Sequence, residues 1–196
     1  LCATGISTHS DLVFPLVFRI LIGCGSRITE TLQIEKKDVD VEKGTLSLRI
    51  TKNRKERIIP MAESLVLRCR EYVCNSQSIR SFNSSRWFFP NKKSIPYNSG
   101  TAYGLYRKAL RLSGVSHGGR GKGPRLHDLR HTWASWHVQQ GTPLHVLQEL
   151  GGWSDYEMVR RYAHLSAEHL AHYAHNLSRG RETSTNLAQV PIKQEK

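Results

Sequence analysis

Residues 126–165, LHDLRHTWASWHVQQGTPLHVLQELGGWSDYEMVRRYAHL, carry the densest helix punctuation in this 196-residue chain. Asp128 falls in the first turn of a helix that should run to about Gln140, where Gly141 can adopt the left-handed backbone that ends helices. Thr142 and Pro143 supply an N-cap and a proline at the first helical position, and Gly151-Gly152 close that short helix. Ser154 and Glu157 have the spacing of a capping box, so a fresh helix should carry Tyr156 to His164. Ser166 can cap one more, from Ala167 to about Leu177. Short helices following one another without a strand between them make this half of the chain α-helical.

The N-terminal half reads differently. Asp11 to Leu21 is apolar, with Pro15 in the first turn of a helix starting near Leu12, and Gly23-Cys24-Gly25 break it. Ser26 can cap a second helix, with Thr29 and Glu30 in its first turn and the pattern continuing to Lys36. Thr45 to Ile50 alternates polar and apolar residues, and Arg57 to Pro60 is a second β-prone run. Between them Thr51 to Glu56 form a basic hairpin tip. Leu65, Val66, Cys69, Tyr72 and Val73 recur at helical spacing within a helix over Met61 to Asn75. Ser76 to Ser85 reads as a polar loop and Trp87-Phe88-Phe89 as a buried strand. Asn98 or Ser99 caps a helix to about Leu112 with Tyr103, Tyr106, Ala109 and Leu110 inward. The expected fold class is therefore mainly α with a small antiparallel β-sheet, an α+β domain.

Charge narrows the partner. The chain has 29 Lys and Arg against 16 Asp and Glu, a formal net charge of +13. An excess of this size favours a polyanion, because each phosphate contacted releases condensed counterions. Against a membrane partner, no apolar run reaches the ~20 residues that span a bilayer. The longest, Leu12 to Gly23, is interrupted by Pro15 and Arg19. Cys2, Cys24, Cys69 and Cys74 lack C-x-x-C pairing, and Cys69 and Cys74 have apolar neighbours, which reads as buried free thiols in a reducing compartment. The loop Ser116 to Pro124 is glycine-rich and basic but lacks the order of a phosphate-binding P-loop. His164, His169, His172 and His175 step by three to five residues, yet no carboxylate or cysteine completes a familiar metal-ligand set.

Single residues leave the chemistry open. His127 and Arg130 share a helical face, which an ordinary solvated or core pair would also do. Trp153 and Tyr162 read equally as core aromatics. Arg27 sits in a glycine-rich bend at a helix N-terminus, where anions collect but where arginines are also simply solvated.

Taken in order, Arg27 in GCGSRITETL, Lys52 in TKNRKERIIP, His127 and Arg130 in HDLRHTWAS, Trp153 in LGGW and Tyr162 in RRYAHL resemble the catalytic domain of the tyrosine recombinases, specifically the phage-type integrases. The resemblance runs from about Leu12 to Leu177. It implies the tyrosine recombinase catalytic-core fold over residues 1–178, followed by a flexible tail over 179–196. An N-terminal core-binding domain would lie outside this chain, which opens on Leu1 rather than Met. It also implies site-specific DNA cleavage and rejoining, with Tyr162 attacking a scissile phosphate to form a 3′-phosphotyrosine. His127 would be the base or proton manager and Lys52 the general acid for the leaving 5′-oxygen, while Arg27 and Arg130 clamp the non-bridging oxygens. Trp153 stands where the family usually has histidine, and indole donates one hydrogen bond but takes no proton. Glu30 would orient an arginine or lysine.

No metal and no other cofactor is required by that scheme. The implied partners are double-stranded DNA, three further copies in a tetramer on DNA, and accessory DNA-bending proteins, with no membrane. The isolated domain would be a monomer, and the setting the cytoplasm of a bacterial host, at the nucleoid. A type IB topoisomerase shares this chemistry, and a catalytically dead DNA-binding domain would share the charge. Because its helix is short and glycine-bounded, Tyr162 is expected to be mobile and displaced from the phosphate pocket in the absence of DNA.

Overall fold

The structure, a computed structural model, describes residues 9–49, 56–116 and 122–166. Helix α1 (His9–Cys24) is the central strut and buries Leu12, Leu16, Val17, Ile20 and Leu21. It begins earlier than its apolar run does, so Pro15 lies inside it rather than in the first turn. Its first residue is anchored from outside the helix, since the His9 ring is hydrogen-bonded to Tyr97 Oη at 2.9 Å and to Ser81 Oγ at 3.1 Å.

Helix α2 (Ile28–Leu32) is a single turn, far shorter than its pattern predicts. Leu32 and Ile34 are both buried, and Glu35 then pairs with Trp87 in a lone antiparallel bridge. A 3-10 turn (Lys36–Asp38) leads into strand β1 (Val39–Asp40). The expected runs form β2 (Thr45–Arg49) and β3 (Glu56–Pro60), and the sheet is antiparallel in the order β1-β2-β3. Leu46 pairs with Ile59 and Leu48 with Arg57, and all four side chains are buried.

Helix α3 (Glu63–Ser76) packs on α1. Cys24 and Cys69 are buried between helices, and burial pushes their thiols up to about 12 and about 11. Cys74, expected to be buried, is exposed on the opposite face of α3. The expected polar loop after α3 contains α4 (Arg80–Asn83), which turns Phe82 into the core. Trp87-Phe88-Phe89 makes no strand beyond the bridge at Trp87. Strand side chains alternate between faces, whereas the consecutive Phe88 and Phe89 both pack on Tyr72, at ring-centroid distances of 5.2 and 5.3 Å.

Helix α5 (Ser99–Leu112) is capped by Asn98, whose Oδ1 accepts from the Thr101 N–H at 2.8 Å. Only a narrow edge of α5, Ala102 with Leu105 and Tyr106, meets the core, and the expected inward residues Tyr103 and Ala109 are exposed. Helices α6 (Leu126–Gln139) and α7 (Leu144–Gly151) follow their sequence signals, with Gly141 at φ 85° after the first and Gly152 at φ 64° after the second. Helix α8 (Glu157–Arg160) is one turn, and a 3-10 turn (Ala163–Ser166) succeeds it. Its start is held by Asp155 Oδ1, which accepts from the Glu157 N–H at 3.0 Å, and not by Ser154. Tyr162 therefore sits between two short helical turns rather than within a longer helix.

Two cores result. The larger gathers α1, α2, the sheet, α3 and the aromatic segment. The smaller consists of Trp133, Ala134, Val138, Leu147, Trp153, Val159 and Tyr162. Helix α6 packs on α1 and supplies Leu126 to the first core and Trp133 to the second. Among the described residues no helix is long and apolar enough to cross a membrane. The proposed tail at 179–196 and the histidines His169, His172 and His175 lie outside the described residues.

Candidate active site

The site forms where the end of α1 meets α6. Gly25, at φ 59°, sets the bend between α1 and α2, and a Cβ there would lie 2.2 Å from Trp133 Cε3. Only glycine lets the bend close against that indole. Two residues on, Arg27 is the N-cap of α2, with extended backbone (φ −81°, ψ 149°). Its N–H donates to Glu30 Oε2 at 2.9 Å and its Nη1 to Glu30 Oε1 at 2.7 Å.

Glu30 is the junction of this corner. Arg57 on β3 reaches it from the other side, donating through Nη2 at 2.9 Å, and the Arg57 and Glu30 side chains are 8% and 2% exposed. Burial alone would raise the Glu30 carboxyl, but the bonds and charge of Arg57 and the contacts from Arg27 outweigh it and hold the group below 4.5. Arg57 Nε is buried with no hydrogen-bond partner among the described residues. Near the same end of the hairpin, Arg49 ties to Glu35, Asp38 and Glu56 at 3.1, 2.7 and 3.1 Å. Lys52 belongs to the segment between β2 and β3 and lies outside the described residues.

Helix α6 contributes the second corner. Its N-cap is Arg125, whose N–H donates to Asp128 Oδ2 at 2.8 Å. His127 follows in the first turn, with its ring 4.9 Å from that of His131 and edge-on to it. Burial lowers the His127 pKa, and the charges of His131, Arg130, Arg27 and Arg125 lower it further.

Arg130 is 2% exposed. Its Nη1 donates to the Gly25 carbonyl and its Nη2 to the Gly151 carbonyl at 2.7 Å, and its Cζ lies 4.0 Å from the Trp153 ring centroid. Gly151 in turn has no room for a side chain, since a Cβ would lie 2.0 Å from Trp153 Cζ3. Carbonyl dipoles and an aromatic face stabilise a guanidinium but do not neutralise it. Burial, Arg27 and Arg57 therefore pull Arg130 down to about 9, still cationic at neutral pH, with Glu30 and Tyr162 acting the other way.

Tyr162 is 5% exposed. Its ring lies 6.2 Å from that of Trp153, and its hydroxyl is 2.5 Å from Nδ1 of His131. Burial raises its pKa, while Arg161 and Arg130 act to lower it.

Five of the six residues singled out by motif thus converge. Arg27, His127 and Arg130 are electrostatically coupled, Arg130 stacks on Trp153, and Trp153 adjoins Tyr162. Trp153 and Tyr162 are at once candidate site residues and members of the smaller core. Sequence reasoning passed over Arg57 and His131. Period-two alternation with Ile59 was the available signal for Arg57, and the four-residue step from His127 the signal for His131. Glu30 orients two arginines, as its place one turn beyond Arg27 predicted.

Residues 5–169 match the Phage integrase family. The chain belongs to the phage integrase family. It is 31% identical to the integrase of Salmonella phage P22 over 172 residues, 82% of this chain and 41% of that protein. It is 30% identical to the tyrosine recombinase XerD of Corynebacterium glutamicum over 169 residues, 83% of this chain and 53% of that protein. The chain thus spans about half the length of these curated relatives. In fold, this phage integrase family member resembles the XerH site-specific recombinase, solved with a palindromic difH substrate in a post-cleavage complex. The TM-score is 0.69 at 22% identity, over 87% of this chain and 47% of that one.

Proposed function

We propose that this chain is the catalytic part of a site-specific DNA recombinase of the phage or prophage integrase kind, cleaving and rejoining duplex DNA through a 3′-phosphotyrosine. The observation that carries the reading is Arg130, a cation 2% exposed that among the described residues meets two carbonyls and an indole but no carboxylate, and that interacts electrostatically with the buried Tyr162. A buried positive charge left short of compensation is a preformed place for an anion. The names of the P22 integrase and of XerD, and the DNA complex of XerH, support reading that anion as a DNA phosphate.

In this scheme the Tyr162 oxygen attacks phosphorus and the 5′-oxygen leaves. Arg27, 38% exposed at the mouth of the site, and Arg130 behind it grip the non-bridging oxygens, matching their planar forks to the charge that develops there. Trp153 holds Arg130 flat and offers its indole N–H. His127, neutral among cations, hydrogen-bonds the phosphate or moves a proton there. Lys52 protonates the leaving oxygen. The phosphotyrosyl ester conserves the bond energy until another 5′-hydroxyl reverses the attack. Recombination further requires several copies on one DNA assembly, a tetramer in this reading, with DNA-bending accessory proteins where the site demands them. Such work places the protein on DNA in the cytoplasm of a bacterial host.

The test is covalent capture. Full-length protein is denatured on cellular DNA, the attached DNA is sequenced, and the recovered site is rebuilt as a nicked duplex. The wild type should accumulate a protein–DNA adduct that Tyr162→Phe abolishes while binding the duplex equally well. Adduct formation by Tyr162→Phe, or none by the wild type, overturns the reading. Relaxation of plasmid without strand exchange would make it a topoisomerase.

A further inference from the structure

We infer that His131 is a catalytic residue: its Nδ1 receives the proton that the Tyr162 hydroxyl loses as its oxygen attacks phosphorus. The inference rests on the phosphotyrosine reading above and moves the tyrosine's proton from His127, the base the resemblance implies, to His131, which leaves His127 to the phosphate.

His131 follows Arg130 on α6 and stands one turn after His127. The two imidazoles meet edge-on at 4.9 Å but look in different directions. His127 is surrounded by Arg27, Arg125 and Arg130, the cations of the phosphate side. His131 faces the tyrosine, with Nδ1 2.5 Å from the Tyr162 oxygen and ring centroids 6.1 Å apart. Of the two histidines, it is the one already touching the atom that reacts.

Its charge state suits the task. Burial and the nearby Arg161 lower the His131 pKa, Arg125 and Arg130 add to this, and Asp128 opposes it. Among the described residues His127 on the same helix and Tyr162 on the facing turn are further titratable neighbours. The ring is thus neutral at physiological pH. With its own proton on Nε2, Nδ1 is an acceptor and the phenol donates to it.

The step balances within the site. The Tyr162 O–H bond breaks and the O–P bond forms, the proton passing to Nδ1 to give an imidazolium. The P–O5′ bond breaks as the leaving oxygen takes its proton from elsewhere, Lys52 in the proposed scheme. On rejoining, the imidazolium returns its proton to the phenolate, which is then the leaving group. A tyrosine with its pKa raised by burial, as here, needs such an acceptor more than a free one does.

The experiment measures the rate of adduct formation on the nicked duplex, in the full-length protein, over a range of pH. The wild-type rate should fall on the acid side, below the ordinary imidazole value, as His131 is protonated. His131→Ala should slow cleavage by on the order of 10²- to 10³-fold and lose that acid limb. Incorporating a fluorinated tyrosine at position 162, whose phenol ionises more readily, should return most of the lost rate. A 5′-bridging sulfur, which relieves only the leaving group, should not. His131→Asn presents an amide near the Nδ1 position but takes no proton, so it should dock Tyr162 and remain slow. A His131→Asn enzyme as fast as wild type overturns the assignment, as does a His131→Ala defect that fluorotyrosine leaves unchanged with the acid limb intact. Failure of the wild type itself to form adducts would instead remove the phosphotyrosine reading.

Discussion

Arg130 and Trp153 form one unit: the guanidinium carbon lies 4.0 Å from the indole centroid while its Nη2 donates to the carbonyl of Gly151, two residues before that ring. One acceptor of the fork and its aromatic platform are thus fixed by the same turn of backbone. Arg130→Lys keeps the charge and loses both the second donor and the stacking surface. Cleavage should drop at least ~100-fold, with a stability loss of about 1–3 kcal/mol from the carbonyl left unpaired. Adduct kinetics and urea unfolding measure the two effects, and cleavage at the wild-type rate would show that charge alone suffices.

The other acceptor of Arg130 is the carbonyl of Gly25, and Gly25 can be tested against Gly44. Both have positive φ, 59° and 64°, but a Cβ at Gly25 would lie 2.2 Å from Trp133 whereas at Gly44 its nearest neighbour would be Val66 at 3.5 Å. Gly44→Ala should cost only the backbone strain, about 1–2 kcal/mol. Gly25→Ala should add a packing penalty of roughly 1–3 kcal/mol and displace the Arg130 acceptor, so cleavage falls as well. Equal destabilisation of the two variants would mean that Trp133 gives way freely.

Glu30 links Arg27 to the strand that follows the Lys52 segment, and this predicts an acid-sensitive corner. Its folded pKa lies below the ordinary 4.5. Its contribution is therefore fully present above that value and is lost as pH falls through the folded pKa. Urea unfolding should show Glu30→Gln less sensitive than wild type to acidification below pH ~4.5. At neutral pH Arg57→Ala should cost about 3–5 kcal/mol, because it strips one of two cations from a carboxylate 2% exposed. A loss below about 1 kcal/mol would show that water replaces Arg57 readily.

Much of this architecture was readable in residue order because its causes are local. Gly141 and Gly152 end their helices, Asn98 caps α5, and the alternation of Thr45 to Arg49 makes a strand facing the core with Leu46 and Leu48. What misled were elements set by distant contacts. Helix α2 stops after one turn because Glu35 is drawn to Trp87, Phe88 and Phe89 leave strand geometry to enclose Tyr72, and His9 extends α1 through Tyr97 and Ser81. The site shows the same division. Motif spacing indicated Arg27, His127, Arg130, Trp153 and Tyr162, yet Arg57, which holds the Glu30 that orients Arg27, and His131, which meets Tyr162, depend on a strand register and on the turn after α8. Neither is encoded within a few residues of the group it supports.

Trp153 combines both kinds of information, as a motif position and as a member of the smaller core, and three substitutions separate its roles. Trp153→Ala removes the platform under Arg130 and opens a cavity beside Trp133, whose ring centroid lies 6.0 Å away, so it should cost about 3–5 kcal/mol and abolish cleavage together. Trp153→Phe keeps an aromatic face for the guanidinium and deletes the N–H, so the fold should hold to within about 1.5 kcal/mol while cleavage falls roughly tenfold, the worth of one hydrogen bond. Trp153→His restores a donor on a smaller ring, so it should recover cleavage relative to Trp153→Phe at some expense of stability. If Trp153→Phe cleaves as fast as wild type, the indole N–H has no part in the reaction and Trp153 acts through Arg130 alone.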